Sequence, residues 1–155
     1  MEKTLILLKP DCVSRQIIGL VINRFEQKGL KIVGLKMMQL TDKLLDDHYV
    51  HLKGKPFFPS IKKFMKSAPV IAIVLEGLEC VEVARLMCGP TNARKAPAGT
   101  IRGDFSQSIQ SNILHASDSL ESAQNEIRRF FQNNELFKYE KANFGLIYSE
   151  ERKKG

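Results

Sequence analysis

Six consecutive apolar residues, Val70-Ile71-Ala72-Ile73-Val74-Leu75, constrain the fold more than any other stretch. A half-exposed strand alternates apolar with polar side chains. This run does not, so it reads as a central, buried strand. It is also the longest apolar run in the chain, far short of the roughly 20 residues that cross a bilayer. Residues 3–8 read as a second buried strand, ended by Lys9-Pro10-Asp11, and residues 30–40 as a third, containing Ile32, Val33 and Leu35. A short fourth strand falls around Ile113-Leu114-His115.

Between the strands the apolar spacing turns helical. Val13, Ile17, Ile18, Val21, Ile22 and Phe25 share one face of a helix over 13–28, which Gly29 stops. Thr41-Asp42 resembles an N-cap for a short helix reaching Tyr49. Gly54 to Pro59 reads as a turn, followed by a short helix over 60–66 with Ile61, Phe64 and Met65 inward. A helix over 78–88 is expected to bury Leu78, Val81 and Leu86. Another, capped by Asp118 or Ser119 with Glu121 completing a capping box on Asp118, is expected to bury Leu120, Ala123, Ile127, Phe130 and Phe131. From Gly89 to about Gln110 periodicity vanishes, and a structureless stretch of that length in a compact domain is usually functional. The skeleton is βαββαβ with inserts. That is an α/β (α+β) ferredoxin-like sandwich, an antiparallel four-stranded sheet with helices packed on it and one long loop. No linker or repeat divides the chain, so residues 1–155 read as a single domain, with 149–155 expected to fray.

Charge narrows the partners. The net charge is +7, and it is uneven. No acidic residue lies between Asp47 and Glu76, where Lys53, Lys55, Lys62, Lys63 and Lys66 occur. None lies between Glu82 and Asp104, where Arg85, Arg94, Lys95 and Arg102 occur. Such stretches favour an anionic partner; for the lysines a solvated basic face is the blander reading. Cys12, Cys80 and Cys88 are widely spaced and form no C-x-x-C pair, so they read as small buried hydrophobes. The N-terminus carries no signal-peptide core, so a cytoplasmic location without a membrane partner is expected.

Phosphate-binding signatures of the G-x-x-x-x-G-K-[ST] and G-x-G-x-x-G types are absent. The sharpest segment is Asn112-Ile113-Leu114-His115-Ala116-Ser117-Asp118-Ser119. A histidine on a short strand, after a basic loop and before a helix, is a candidate nucleophile, because neutral imidazole attacks well near pH 7. It must be held in one tautomer, and Glu126, at the edge of the last helix's apolar stripe, is placed to hold it, with Ser117 close enough to bridge. A core histidine with a satisfied hydrogen bond is the alternative. Arg85, Thr91 and Arg102 bracket the basic loop, and guanidinium forks with a hydroxyl suit phosphate oxygens. His48 and His51 could pass for metal ligands, but a single His-x-x-His is weak and reads as an exposed helix face. Phe57-Phe58, between Pro56 and Pro59, reads as a base-stacking platform or a core edge. Met37-Met38 reads as strand packing.

Five blocks in register resemble one family, the nucleoside diphosphate kinases. They are residues 4–11 ending in Lys9-Pro10-Asp11; Arg24 to Gly29; His48-Tyr49 with Pro56-Phe57-Phe58; Gly99 to Phe105; and Asn112 to Ser119. The resemblance covers residues 3 to about 148. It implies γ-phosphoryl transfer from a nucleoside triphosphate such as ATP to a nucleoside diphosphate, ping-pong, through a phosphohistidine. It further implies that His115 is the nucleophile, oriented by Glu126 and Ser117, with Tyr49 beside it. Arg85, Thr91 and Arg102 match the phosphate clamp, and Lys9 and Asn112 the residues that meet the sugar 3′ hydroxyl and nearby phosphate oxygens. Phe57 matches the aromatic that stacks on the base, with Ile109 packing its other face. Mg²⁺ would ride on the nucleotide's phosphates. Stacking without hydrogen-bond readout predicts broad base tolerance. The 139–148 segment resembles that of hexameric members, so a homohexamer is expected over the alternative, a tetramer.

This chain departs from the family pattern at Cys12, Ala93, Ala116 and the Gln110-Ser111 pair. Ala116 stands where glycine is usual, which matters if that position needs a positive φ. Two other classes compete with the kinase reading. One is a nucleic-acid-binding module, but no RNP-type aromatic strand is present, which leaves DNA or RNA as a secondary, salt-sensitive partner. The other is a catalytically weak member acting in regulation, which the complete set of site residues argues against.

Overall fold

A computed structural model describes residues 1–142 and 144–148. The elements are β1 (Glu2–Leu8), α1 (Pro10–Ser14), α2 (Ile18–Lys28), β2 (Lys31–Met38), α3 (Asp42–His48), α4 (Phe58–Met65), β3 (Val70–Gly77), α5 (Cys80–Cys88), α6 (Ile101–Phe105), β4 (Leu114–Ala116), α7 (Leu120–Phe130) and α8 (Phe144–Ile147). The tail 149–155, expected to fray, lies outside the described residues.

The four strands form one antiparallel sheet in the order β2-β3-β1-β4. The apolar run of β3 is central, and both its faces are covered. Ile71, Ile73 and Leu75 join Ile6 and Leu8 of β1 against Val21 and Phe25 of α2 and Ala84 and Cys88 of α5. Ala72 and Val74 join Leu5 and Leu7 against Leu45 of α3, Met65 of α4 and Ile127 and Phe130 of α7. The two crossover helices α2 and α5 thus share one face, and α3, α4 and α7 close the other. Period-two alternation sends successive β1 and β3 side chains to opposite cores. Removing a ring as completely buried as Phe25 would cost about 3–5 kcal/mol.

Several expectations need correction. The helix over 13–28 is two helices. The chain breaks at Arg15 to Ile17, where Gln16 takes a left-handed φ of 57°. Its apolar residues still pack on one core. Gly29 ends α2 at φ 96°, a conformation glycine adopts without a Cβ clash. On α5 the inward face is Cys80, Val81, Ala84 and Cys88, while Leu86 is 68% exposed and Leu78 also points out. Leu120 is exposed as well. Ser119 alone caps α7, accepting from the Ser122 amide, so the capping box on Asp118 does not form. Met37 projects into solvent instead of packing. The cysteines are free and buried, as expected.

Two of the five lysines of the basic stretch are neutralised by carboxylates, while Lys53, Lys55 and Lys63 stand exposed. Lys62 pairs with Asp42 and Asp46, and Lys66 with Asp42. No helix among the described residues is long and apolar enough to cross a membrane.

The segment after α7 returns along β2, the edge strand. The Phe137 amide donates to the Val33 carbonyl (2.8 Å) at the register shift between Ile32 and Gly34. The Tyr139 hydroxyl donates to the Ile32 carbonyl (2.6 Å). Lys141 Nζ and the Tyr148 hydroxyl both reach the Gly29 carbonyl, at 3.1 and 3.4 Å.

Candidate active site

His115 is carried by the shortest strand. In β4, Leu114 and Ala116 point into the α2/α5 core, so alternation turns His115 to the opposite face, toward α7 and α3. There its Nε2 lies 2.9 and 3.0 Å from the two carboxylate oxygens of Glu126. A carboxylate only accepts, so Nε2 carries the proton and Nδ1 keeps the free lone pair. The Ser117 hydroxyl donates to Glu126 Oε2 (2.6 Å) while accepting from the Leu5 amide (3.2 Å). Ser117 therefore acts on the carboxylate, not on the ring. Burial pushes the Glu126 carboxyl up, but the hydrogen bond and charge of His115 and the Ser117 hydroxyl outweigh it, and the group stays below its ordinary range.

The residue that aims this strand is Ile113. It is fully buried and β-branched, yet its φ is 74°. A branched side chain adopts that conformation only when its surroundings compel it. Here the Ile113 amide donates to Asp11 Oδ2 (2.9 Å), and its carbonyl accepts from the Lys9 amide (2.8 Å). The kink lets Asn112 face the cavity on one side of Ile113 while Leu114 joins the sheet on the other. Ala116, by contrast, is an ordinary strand residue paired with Ile6, so the concern over a missing glycine there does not arise.

Lys9, at the end of β1, donates to Asn112 Oδ1 (2.5 Å) and to the Gln110 carbonyl (3.3 Å). Only the backbone of Gln110 is used. Burial, then the charge of Arg102, lowers the Lys9 ammonium to about 8, against a smaller opposing pull from Asp11. Asn112 in turn donates to the carbonyls of Thr91 (2.9 Å) and Ile109 (2.8 Å).

The stretch from Gly89 to Gln110, expected to be structureless, contains a 3-10 turn at Ala93–Lys95, with Ala93 buried, and α6. Thr100 caps α6, accepting from the Gly103 amide. A Cβ on Gly103 would sit 2.0 Å from the Pro97 carbonyl oxygen, so only glycine lets the loop close this tightly. Asp104 accepts from Arg24 of α2 (2.9 Å) and from the Gly99 amide (2.7 Å), and Arg24 also reaches the Gly99 carbonyl. Arg102 is buried and braced by three carbonyls: Asn112 (3.3 Å from Nε), Gly89 (2.5 Å) and Leu114 (2.8 Å). A guanidinium has five N–H groups, so donors remain for a ligand.

Around these residues lies a cavity of about 560 Å³ that Lys9, Arg85, Thr91, Arg102, Asn112 and His115 help to line. Tyr49 and Glu126 also reach it, but Phe57 and Ile109 do not; both stand exposed outside the lining. The aromatic pair splits, with Phe58 turned inward and Phe57 52% exposed. Burial and the negative charge of Glu126 push the Tyr49 hydroxyl up to about 12.

His48 overturns its sequence reading. It is 6% exposed, not on a solvent face, and its ring meets that of His115 edge-on, with centroids 4.7 Å apart. It also packs edge-on against Tyr49 and Phe130. Burial, then the neighbouring His115, pushes its pKa down to about 3. Arg129 NH1 stands 3.4 Å from its Nδ1, and its Nε2 has no hydrogen-bond partner among the described residues. Leu44, Leu45 and His48 share a helix face at three- and four-residue spacing, the one sequence signal that could have turned His48 inward.

The family model described as nucleoside diphosphate kinase matches residues 2–136. A protein of that name from Parabacteroides distasonis is 51% identical over 151 residues, covering 97% of this chain and 99% of the relative. Nucleoside diphosphate kinase B of Bos taurus is 47% identical, covering 95% and 97%. Among solved structures, a halophilic nucleoside diphosphate kinase from Halobacterium salinarum in complex with CDP is similar at a TM-score of 0.92 and 38% identity, covering 95% of this chain and 98% of that one. A family protein from Babesia bovis is similar at 0.92 and 40%, covering 96% and 100%.

Proposed function

The chain belongs to the nucleoside diphosphate kinase family, and from that premise we propose that its γ-phosphoryl transfer runs through a covalent intermediate on His115. The observation that carries the reading is the two-oxygen grip of Glu126 on Nε2, which leaves Nδ1 as the free nucleophile. In the first half-reaction the Nδ1 lone pair attacks the γ-phosphorus of a nucleoside triphosphate such as ATP. The bond from that phosphorus to the β–γ bridging oxygen breaks, and its electron pair leaves on the diphosphate. In the second half a different diphosphate's terminal oxygen attacks the same phosphorus, and the N–P bond returns its pair to Nδ1. The proton on Nε2 stays in place throughout, and the Glu126 carboxylate offsets the positive charge the ring gains while phosphorylated.

Phosphoryl transfer asks a protein mainly for positioning and charge stabilisation. Arg102, Arg85 and Thr91 would hold the phosphates, and Lys9 and Asn112 the sugar 3′ hydroxyl and adjacent phosphate oxygens. Tyr49 packs beside the reacting ring. The exposed Phe57 and Ile109 would sandwich the base, and stacking alone accounts for tolerance among bases. The CDP held by the Halobacterium relative supports a nucleoside diphosphate as substrate. Of the cavity's carboxylates, Glu126 is engaged by His115 and Ser117, and Asp118 and Asp47 alone do not make the all-oxygen cage a resident Mg²⁺ would need. That donor set fits Mg²⁺ arriving on the nucleotide, where it neutralises phosphate charge. Leu20, Leu35 and Met37 are exposed on α2 and β2, an apolar surface that subunit contact in a homohexamer would cover. A cytoplasmic location belongs to the same reading.

The test is a phosphoenzyme trap. The protein is mixed with Mg²⁺ and γ-labelled ATP and quenched. Acid-labile, base-stable label that GDP discharges and His115→Ala abolishes is the expected result. No label in folded protein, or label surviving His115→Ala, would overturn the reading.

A further inference from the structure

We propose that His48, His115 and Glu126 form a binding site for a zinc-class divalent cation, and that an ion held there locks His115 in the tautomer that cannot attack phosphorus. The second half of this proposal rests on His115 being the nucleophile. Ligand atoms of the three residues lie within 4.8 Å of one another. His115 Nε2 is 2.9 Å from Glu126 Oε1, and His48 Nδ1 is 3.9 Å from the same oxygen. Two imidazoles and one carboxylate, with the cavity opening on a fourth position, is the donor set of open zinc sites. Ligands about 2.0–2.1 Å from a tetrahedral ion stand about 3.4 Å apart, so the rings must close by roughly 1 Å or a little more.

His48 is suited to this. It is buried, and its Nε2 has no hydrogen-bond partner among the described residues, so rotating the ring breaks none of their bonds at that atom. Arg129 opposes the ion. Its NH1 lies 3.4 Å from His48 Nδ1 and must swing outward, which its partly exposed position permits. Ser117 keeps Glu126 Oε2, leaving Oε1 for the metal. Of the soft thiols, Cys12 and Cys80 are buried in the core on the other face of the sheet; Cys88, buried in that core too, reaches the cavity wall but does not join the three grouped ligands. Hard Mg²⁺, which wants oxygen ligands in octahedral array, would not compete here.

Metal and proton cannot share Nε2. When the ion takes that nitrogen, the neutral ring carries its proton on Nδ1, and the lone pair needed for attack is gone. Proton count is unchanged; only its place on the ring moves. The ion therefore silences the enzyme without touching the phosphate clamp.

Zinc sulfate alone is titrated into intact, nucleotide-free protein by calorimetry, in a buffer that does not bind metal. One ion per chain is expected, held at least tenfold more weakly by His48→Phe and by Glu126→Gln. Nitrogen-15 spectra of the histidine rings should show the His115 proton moving from Nε2 to Nδ1, and exchange activity under excess Mg²⁺ should fall with the same midpoint and return with EDTA. Absence of saturable binding below 100 micromolar, or equal binding by both variants while they remain folded by circular dichroism, would overturn the site. Binding that both variants weaken, with the His115 proton still on Nε2, would overturn the tautomer lock. Binding with the proton moved but activity intact would uphold the site and refute His115 as nucleophile.

Discussion

Acidification should destabilise this protein through His48, and the size of the effect follows from its burial. An unfolded histidine titrates near 6.5, while His48 in the fold is held neutral down to about 3. Between those values the unfolded chain binds a proton that the folded one refuses. Stability is therefore greatest above pH 6.5 and falls on acidification, by about 1.36 kcal/mol per pH unit, until it levels off near pH 3. From pH 7 to pH 5 the loss is about 2 kcal/mol from this group alone. For a chain of this size that corresponds to roughly 4–8 °C in melting temperature. The window stays above the carboxylate range, so Glu126 and Asp104, both held low, do not contribute to it. The assay is urea unfolding at pH 5, 5.5, 6, 6.5 and 7, at one protein concentration, for the parent and His48→Phe. Phenylalanine fills the pocket among Tyr49, Phe130 and His115 but cannot titrate. The parent should lose about 2 kcal/mol more than the variant across the series. Parallel curves would refute the reasoning, because they would mean that His48 takes up its proton in the folded state as readily as in the unfolded one.

Three further outcomes follow from the site. Glu126→Gln should lower the phosphorylation rate at least about 100-fold, since an amide can present N–H to Nε2 and so favour the opposite tautomer; single-turnover labelling measures it, and an unchanged rate would remove the orienting role. Asp11→Ala should leave the buried Ile113 amide unpaired and cost about 1–3 kcal/mol in urea unfolding, whereas Asp11→Asn, which keeps an acceptor oxygen, should recover most of it; equal losses would show that the charge of Asp11, not its hydrogen bond, matters. With its pKa lowered to about 8, Lys9 loses its charge as pH rises through that value, so KM for ADP should climb between pH 7 and 9 in the parent and stay flat in Lys9→Met.

What the sequence made legible was whatever short-range pattern encodes. The unbroken run at 70–75, the Thr41 cap, Gly29 and the Asn112 to Ser119 block all carry their meaning within a few residues. The misreadings arise where distant groups decide. Leu86 and Leu120 are as apolar as residues that go inside, and only the completed packing of α5 and α7 turns them out. The loop from Gly89 to Gln110 has no periodicity of its own, because it is shaped by Arg24, eighty positions from Asp104, and by the close approach of Gly103 to Pro97. Gln16 and Ile113 take left-handed conformations that propensity argues against, and at Ile113 the cause is Asp11, 102 positions away. His48 was hidden for a related reason. A histidine beside Asp46 and Asp47 looks solvated until α7 supplies Glu126 and Phe130 to enclose it.

The return of Phe137 and Tyr139 along β2 also has a consequence during synthesis. β2 is complete at Met38, but the amide that meets the Val33 carbonyl belongs to Phe137, 99 residues later. At about 5–20 residues per second, the ribosome leaves that edge uncovered for on the order of 5–20 s. An uncovered strand edge is a template for a neighbouring chain. On a crowded polysome, then, the vulnerable product is the almost-finished one, and chains ending before Phe137 should co-sediment as aggregates while full-length ones do not.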